Sequence, residues 1–234
     1  MKPIPDISVV GTDTGVGKTV VSLLLMQRLY ARGYHPFYLK PFQTGCATPY
    51  DADSDAAFVY RHTAPLSRKD PGQSVVYCLP NPKAPYFAAR DAGMTIHLEK
   101  VLQAMETRRS THSPLIVEAA GGLLVPITER HTVLDLLSQT NCRPLLVARA
   151  GLGTINHTLL SIEALIKRKI SPLGVILAQS DDCTDPLHLV KENMEAIHMF
   201  SGIQVAGVVP MLADYSAPPD KAYQALEALE FSAP

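Results

Sequence analysis

Nine residues, Gly11-Thr12-Asp13-Thr14-Gly15-Val16-Gly17-Lys18-Thr19, carry the groups that a phosphate-binding turn needs. They follow a β-branched run, Ile7 to Val10, and open an apolar stretch with helical spacing. Glycines let backbone N–H groups turn inward on phosphate oxygens, and the following helix adds its positive end. Lys18 can then reach the β- and γ-phosphates, and the Thr19 hydroxyl can ligate Mg²⁺. Position 12 is Thr, so five residues rather than the usual four separate Gly11 from Gly17. The turn is a variant of the ordinary phosphate loop.

Other segments bring charge to strand ends. Lys40-Pro41-Phe42-Gln43-Thr44-Gly45 offers an ammonium and a hydroxyl, and a cation there neutralises charge developing on a transferred phosphoryl group. Asp51, Asp53 and Asp55 are spaced like the start of a calcium loop. That loop wants Gly and Glu where this chain has Ala56 and His62. Asp53 or Ser54 could instead cap the next helix, and one of the three acids is expected to do so. Glu118 ends the apolar run Leu115 to Val117. Gly151-Leu152-Gly153-Thr154-Ile155-Asn156-His157 is a second strand-to-helix turn, whose free helix start favours an anion. Its likeness to a dinucleotide fingerprint fails, because Asn156 replaces the third glycine and no acid lies about 20 residues on. The histidines show no metal-binding spacing.

Elements must hold these residues in place. Apolar strands are expected at Ile7 to Val10, Phe37 to Leu39, Leu115 to Val117, Leu145 to Ala148, Gly174 to Ala178 and Val205 to Val209. Helical stretches are expected at 17–32 and near 53–62, 95–108, 132–139, 155–168, 187–199 and 220–230. Continuous apolar strands alternating with helices imply an α/β fold, a mostly parallel sheet with helices on both faces. Ligands of such sheets gather at the carboxyl ends of the strands, where the charged residues above lie. Residues 63–93 are proline-rich and weakly periodic, and read as a long excursion.

The 234 residues carry 21 Lys+Arg against 22 Asp+Glu. That length fits one α/β domain spanning 1–234. The near-zero net charge gives no global reason to bind nucleic acid or an anionic membrane. Cys46, Cys78, Cys142 and Cys183 form no close pair, so neither a disulfide framework nor a zinc site is expected. The first residues do not read as a signal peptide and no apolar run approaches a membrane span, so the expectation is a cytoplasmic protein.

The loop at 11–19 resembles that of the dethiobiotin synthases, a branch of the P-loop NTPases, whose pattern GTDTxVGKT it matches throughout. Lys40 to Gly45 resembles the family's KPxxxG/S segment, Ser54-Asp55-Ala56 its Ser-Asp-Ala step, Val117 to Gly122 its VEGAGG, and 151–157 its GxxNH segment. The resemblance covers residues 7 to about 215. It implies a P-loop NTPase fold and an ATP- and Mg²⁺-dependent ligase. That ligase carboxylates 7,8-diaminononanoate with CO2, phosphorylates the carbamate and closes a ureido ring. It implies catalytic roles for Lys18, Lys40 and Thr14, and Mg²⁺ ligation by Thr19, Asp55 and Glu118. Nucleotide contacts fall to Gly15, Val16, Gly17, Lys18, Thr19, Val20, Asp55, Glu118, Gln179, Pro210, Met211 and Leu212. Substrate contacts fall to Lys40 and Thr44, and to Gly153, Thr154, Ile155 and Asn156 supplied across a homodimer interface.

Two departures stand out. Ala119 replaces a glycine of VEGAGG, and Ala178 replaces the asparagine that reads adenine in the family. Alanine cannot make the paired amide bonds, so weaker discrimination among nucleoside triphosphates is expected. Two alternatives are a partition- or switch-type ATPase and a cobyric-acid-type amide synthase. The first needs a signature lysine where this chain has Asp13, and the second usually carries a further amidotransferase domain.

Overall fold

The structure, a computed structural model, describes residues 4–180 and 187–229. The strands are β1 Ile7–Gly11, β2 Phe37–Thr44, β3 Val75–Leu79, β4 Leu115–Gly122, β5 Arg143–Arg149, β6 Gly174–Ala178 and β7 Val205–Val209. They form one sheet in the order β3-β2-β4-β1-β5-β6-β7, and every paired neighbour runs parallel. The helices are α1 Lys18–Ala31, α2 Asp55–His62, α3 Pro85–Asp91, α4 Leu98–Arg109, α5 Val133–Leu137, α6 Thr154–Lys167, α7 Leu187–Ser201 and α8 Gln224–Glu227.

Strand side chains alternate between the faces, so each face buries its own core. Ile7, Val9, Leu145 and Ile176 pack with α1, α2 and α8. Val10, Leu39, Leu146 and Leu177 pack with α4, α5, α6 and α7. This is the α/β architecture expected, helices covering both faces. The chain leaves β1 for β2 and β3 on one side, returns to β4 beside β1, then crosses to β5, β6 and β7. The winding reverses around β1, where α/β sheets open a ligand crevice.

Three expectations need correction. The excursion at 63–93 contains β3 and α3. Val75 to Leu79 is an apolar run that pairs with the far half of β2. β2 does not stop at Lys40-Pro41. Its first half pairs with β4 through Phe37, Tyr38 and Leu39, and its second half with β3 through Lys40, Phe42, Gln43 and Thr44. Pro41, which has no N–H to donate, falls where the ladder changes partner and is tolerated there. β4 likewise runs past Glu118 to Gly122, which pairs with Gly11. Lys40 and Glu118 are therefore interior strand residues with rigid backbones.

Among the described residues, no helix is long and apolar enough to cross a membrane. Cys46, Cys78 and Cys142 are free thiols, and Cys183 lies outside the described residues.

Candidate functional site

The phosphate loop starts from the centre of the sheet. Gly17 caps α1 with φ 92°, a left-handed conformation natural to glycine. A Cβ there would also lie 2.8 Å from the Ala178 Cβ, so the loop is wedged against the end of β6. Val16 buries its side chain in the core, which leaves its backbone for a nucleotide contact. Asp13 accepts a bond from the Thr14 N–H at 2.7 Å, which stiffens the turn. Lys18 folds over the loop and donates to the Asp13 carbonyl at 2.7 Å. Burial, with help from nearby Lys40, pushes its ammonium pKa down to about 8.

Beside the loop, three elements place four polar groups together. The register sets Tyr38 opposite Ile116, so Tyr38 and Lys40 project to the face that carries Ile116 and Glu118. Asp55 begins α2. Lys40 Nζ lies 2.7 Å from Glu118 Oε1 and 2.8 Å from Asp55 Oδ2. Thr19 Oγ1 donates within 2.7 Å of Asp55 Oδ1 and 2.9 Å of Glu118 Oε1. Glu118 is fully buried and Lys40 nearly so. Burial alone would lower the Lys40 pKa, but Glu118 and Asp55 outweigh it and hold the ammonium above its ordinary value. Burial would raise the Asp55 carboxyl, yet Lys40 and Thr19 hold it below the usual range.

Thr19, Asp55 and Glu118 thus present converging oxygen atoms, two of them anionic, the donor set of a hard divalent cation. Among the described residues no group of three His, Cys, Asp or Glu side chains could hold a metal alone. The protein can offer only part of a shell, which suits a cation that keeps water and phosphate ligands.

These groups line a cavity of about 600 Å³. Thr14, Gly15, Gly17, Val20, Thr44 and Gln43 also face it, with Pro82 to Pro85 closing one side. Gln43 is nearly fully buried. Its Oε1 accepts the Asp55 N–H at 3.0 Å, which fixes the start of α2. Ser54 caps that helix through the Ala57 N–H, so the expected acidic cap is corrected. Asp51 instead accepts from the N–H groups of Ala47 and Thr48, closing its own turn. Ala119 carries no strain: β4 continues through it, and the left-handed position is Gly121, φ 67°.

The expected base contacts gather on the other side of the loop. The Gln179 N–H bonds the Val209 carbonyl at 3.0 Å, bringing the end of β6 beside Pro210, Met211 and Leu212. Leu212 is buried and Met211 half exposed. Gly153, Thr154, Ile155 and Asn156 open α6, with Gly153 in the left-handed region. They do not line the cavity of their own chain.

Sequence reading missed two residues of the cluster. Gln43 lies past the strand expected at Phe37 to Leu39 and carries no expected role. Tyr38 reads as core, yet its hydroxyl donates to Glu118 Oε2 at 2.9 Å. Burial and then Glu118 raise its phenol pKa well above the ordinary value. Its spacing of two residues from Lys40 was the available signal.

Comparison with known proteins places this geometry. A family model described as an AAA domain matches residues 6–219. The chain is 42% identical over 208 residues to the biotin biosynthesis bifunctional protein BioCD of Bordetella avium, covering 87% of this chain and 39% of that protein. It is 37% identical over 209 residues to the ATP-dependent dethiobiotin synthetase BioD of Paramagnetospirillum magneticum, covering 89% of each. Among solved structures it resembles the MinD cell division protein of Aquifex aeolicus, with a TM-score of 0.59 over 96% of this chain and 94% of that one. At 14% identity the last likeness speaks for the fold alone.

Proposed function

Because the chain belongs to the ATP-dependent dethiobiotin synthetase family, we propose that the cavity between the phosphate loop and β2 is where it joins CO2 to 7,8-diaminononanoate. In this reading the diamine forms a carbamate on one amine. The γ-phosphoryl group of ATP passes to a carbamate oxygen, leaving ADP. The second amine then attacks the carbonyl carbon, phosphate departs, and the ureido ring closes.

The observation that carries the reading is the placement of Lys40. An ammonium has three N–H donors. Asp55 and Glu118 take two at 2.8 and 2.7 Å, while the third reaches the Ala119 carbonyl only at 3.4 Å. That third donor is free to be bettered by a carbamate or phosphoryl oxygen. Lys18 and the loop N–H groups hold the β- and γ-phosphates, and Thr14 and Thr44 border the path of the substrate. Thr19, Asp55 and Glu118 would hold Mg²⁺, which when bound neutralises charge on the phosphate oxygens. Phosphoryl transfer asks mainly for positioning and charge neutralisation, so no protein nucleophile is needed.

Gly153 to Asn156, at the start of α6, do not line this cavity, and a helix start suits an anion; in a homodimer they would hold the substrate carboxylate of the neighbouring site. We place the enzyme in the cytoplasm, acting on small molecules rather than on nucleic acid or membrane. Asp13 occupies the position of the signature lysine of partition ATPases and spends its carboxylate on the loop, against that alternative.

The deciding assay is phosphate release with and without diaminononanoate and bicarbonate. Release that requires both is expected. Hydrolysis of equal rate without either would reject the reading.

A further inference from the structure

Glu118 is fully buried and receives three side-chain donors. Thr19 Oγ1 and Lys40 Nζ approach Oε1 at 2.9 and 2.7 Å, and the Tyr38 hydroxyl approaches Oε2 at 2.9 Å. The first two have other work in the reaction above: Thr19 toward the cation, Lys40 toward the transferred group. When Thr19 turns to the cation, Glu118 loses that donor, and Lys40, still bonded to Oε1, shares its charge with the group on its third N–H. A buried carboxylate without fixed partners rotates, and its oxygens no longer meet a cation at one defined place.

Tyr38 has no such second duty. Its side chain is fully buried against the core on the α1 side of the sheet. Its backbone carbonyl accepts the Ser74 hydroxyl at 2.6 Å, and Ser74 also bonds the Tyr60 hydroxyl at 2.8 Å. The ring therefore stands on a pinned stretch of β2, two residues before Lys40. We propose that Tyr38 is a positioning residue for the synthetase reaction: its hydroxyl holds Oε2 of Glu118 so that Oε1 stays turned toward Thr19 and Lys40 throughout turnover. This rests on the reading of Thr19, Asp55 and Glu118 as the cation site. Tyr38 touches neither substrate nor cation; it acts through Glu118.

The test is Tyr38→Phe in the full chain, with Mn²⁺ as the probe and ADP present, free Mn²⁺ being counted by electron paramagnetic resonance. Loss of a partner that orients a metal ligand weakens affinity about 10-fold or more. The expected result is that rise in the Mn²⁺ dissociation constant, with metal-free ADP affinity unchanged. The turnover number should fall while the KM for diaminononanoate holds. In a Glu118→Gln background, Tyr38→Phe should move the Mn²⁺ constant less than about twofold, because the coupled partner is already altered. That background also carries the test should Tyr38→Phe alone fail to fold with Oε2 left bare. An unchanged Mn²⁺ constant in the single variant, or a rise of about 10-fold in the Glu118→Gln background, overturns the proposal. A parent chain that binds no Mn²⁺ with ADP overturns the cation reading, and this inference with it.

Discussion

Lys40→Met tests the centre of the site, because it removes one positive charge from between fully buried Glu118 and half-buried Asp55 and leaves a side chain of similar length. Asp55 and Glu118, which now share Nζ at 2.8 and 2.7 Å, would be left with the Thr19 hydroxyl between them. Removing one partner of a buried ion pair costs about 3–5 kcal/mol. For a chain of this size each kcal/mol moves the melting temperature by roughly 2–4 °C, so a fall of about 6–20 °C is expected. Loss of a preorganised charge at the transferring group should separately lower the turnover number about 10²- to 10³-fold. Scanning calorimetry and a phosphate-release assay measure the two effects. Lys40→Met combined with Glu118→Gln should recover much of the melting temperature and none of the turnover, since the excess negative charge is gone while the cation is still missing. The reasoning is refuted if Lys40→Met melts within about 2 °C of the parent, or if the double variant regains activity along with stability.

Three further outcomes are expected. Gly17→Ala forces a left-handed residue to carry a Cβ into the end of β6, and the displaced loop should lose about 100-fold in ATP affinity by calorimetric titration. Ala178→Asn restores an amide beside the loop. Two added hydrogen bonds should raise the kcat/KM preference for ATP over CTP and GTP roughly 10-fold or more, against a parent whose steady-state values are comparable; a parent preference of hundreds-fold for ATP would contradict this. Asp135→Ala removes the capping box of α5 and should cost about 1 kcal/mol, seen as a melting temperature lower by roughly 2–4 °C at neutral pH. The Thr132 backbone N–H, with the Thr132 hydroxyl and Arg168, holds the Asp135 carboxyl below the usual range. Its contribution is therefore complete above the ordinary carboxylate pKa of about 4 and disappears as pH falls through the lower folded value. The difference between variant and parent should shrink in acid.

The sheet and the charged cluster were largely legible because each rests on a local pattern. Six strands announce themselves as apolar runs at a turn signal, and Gly17-Lys18-Thr19 carries its own context. The misses have a physical cause in common: they depend on what lies beside a residue rather than along the chain. Pro41 looks like a stop until β3 is known to take over the ladder. Val75 to Leu79 looks like part of a loop until β2 is known to extend far enough to receive it. Ser54 and Asp53 are equal candidates for a cap until Gln43 is seen to hold the Asp55 N–H. Tyr38 is an unremarkable residue of an apolar strand and Gln43 lies past that strand's expected end, and only the register between β2 and β4 turns Tyr38 toward Glu118.

The position of β1 bears on how the chain is made. β1 pairs with β4 and β5 and with no other strand. β4 begins roughly 100 residues later, and at about 5–20 residues per second a ribosome needs on the order of 5–20 s to deliver it. For that interval Ile7 to Gly11 and the apolar helix behind it have no native strand to join, and they leave the exit tunnel as exposed hydrophobic chain. The most central strand of the catalytic scaffold thus waits longer for its first partner than any other strand of the sheet. It should depend on holding chaperones more than the later β5-β6-β7 half, whose strands pair with neighbours that have only just emerged.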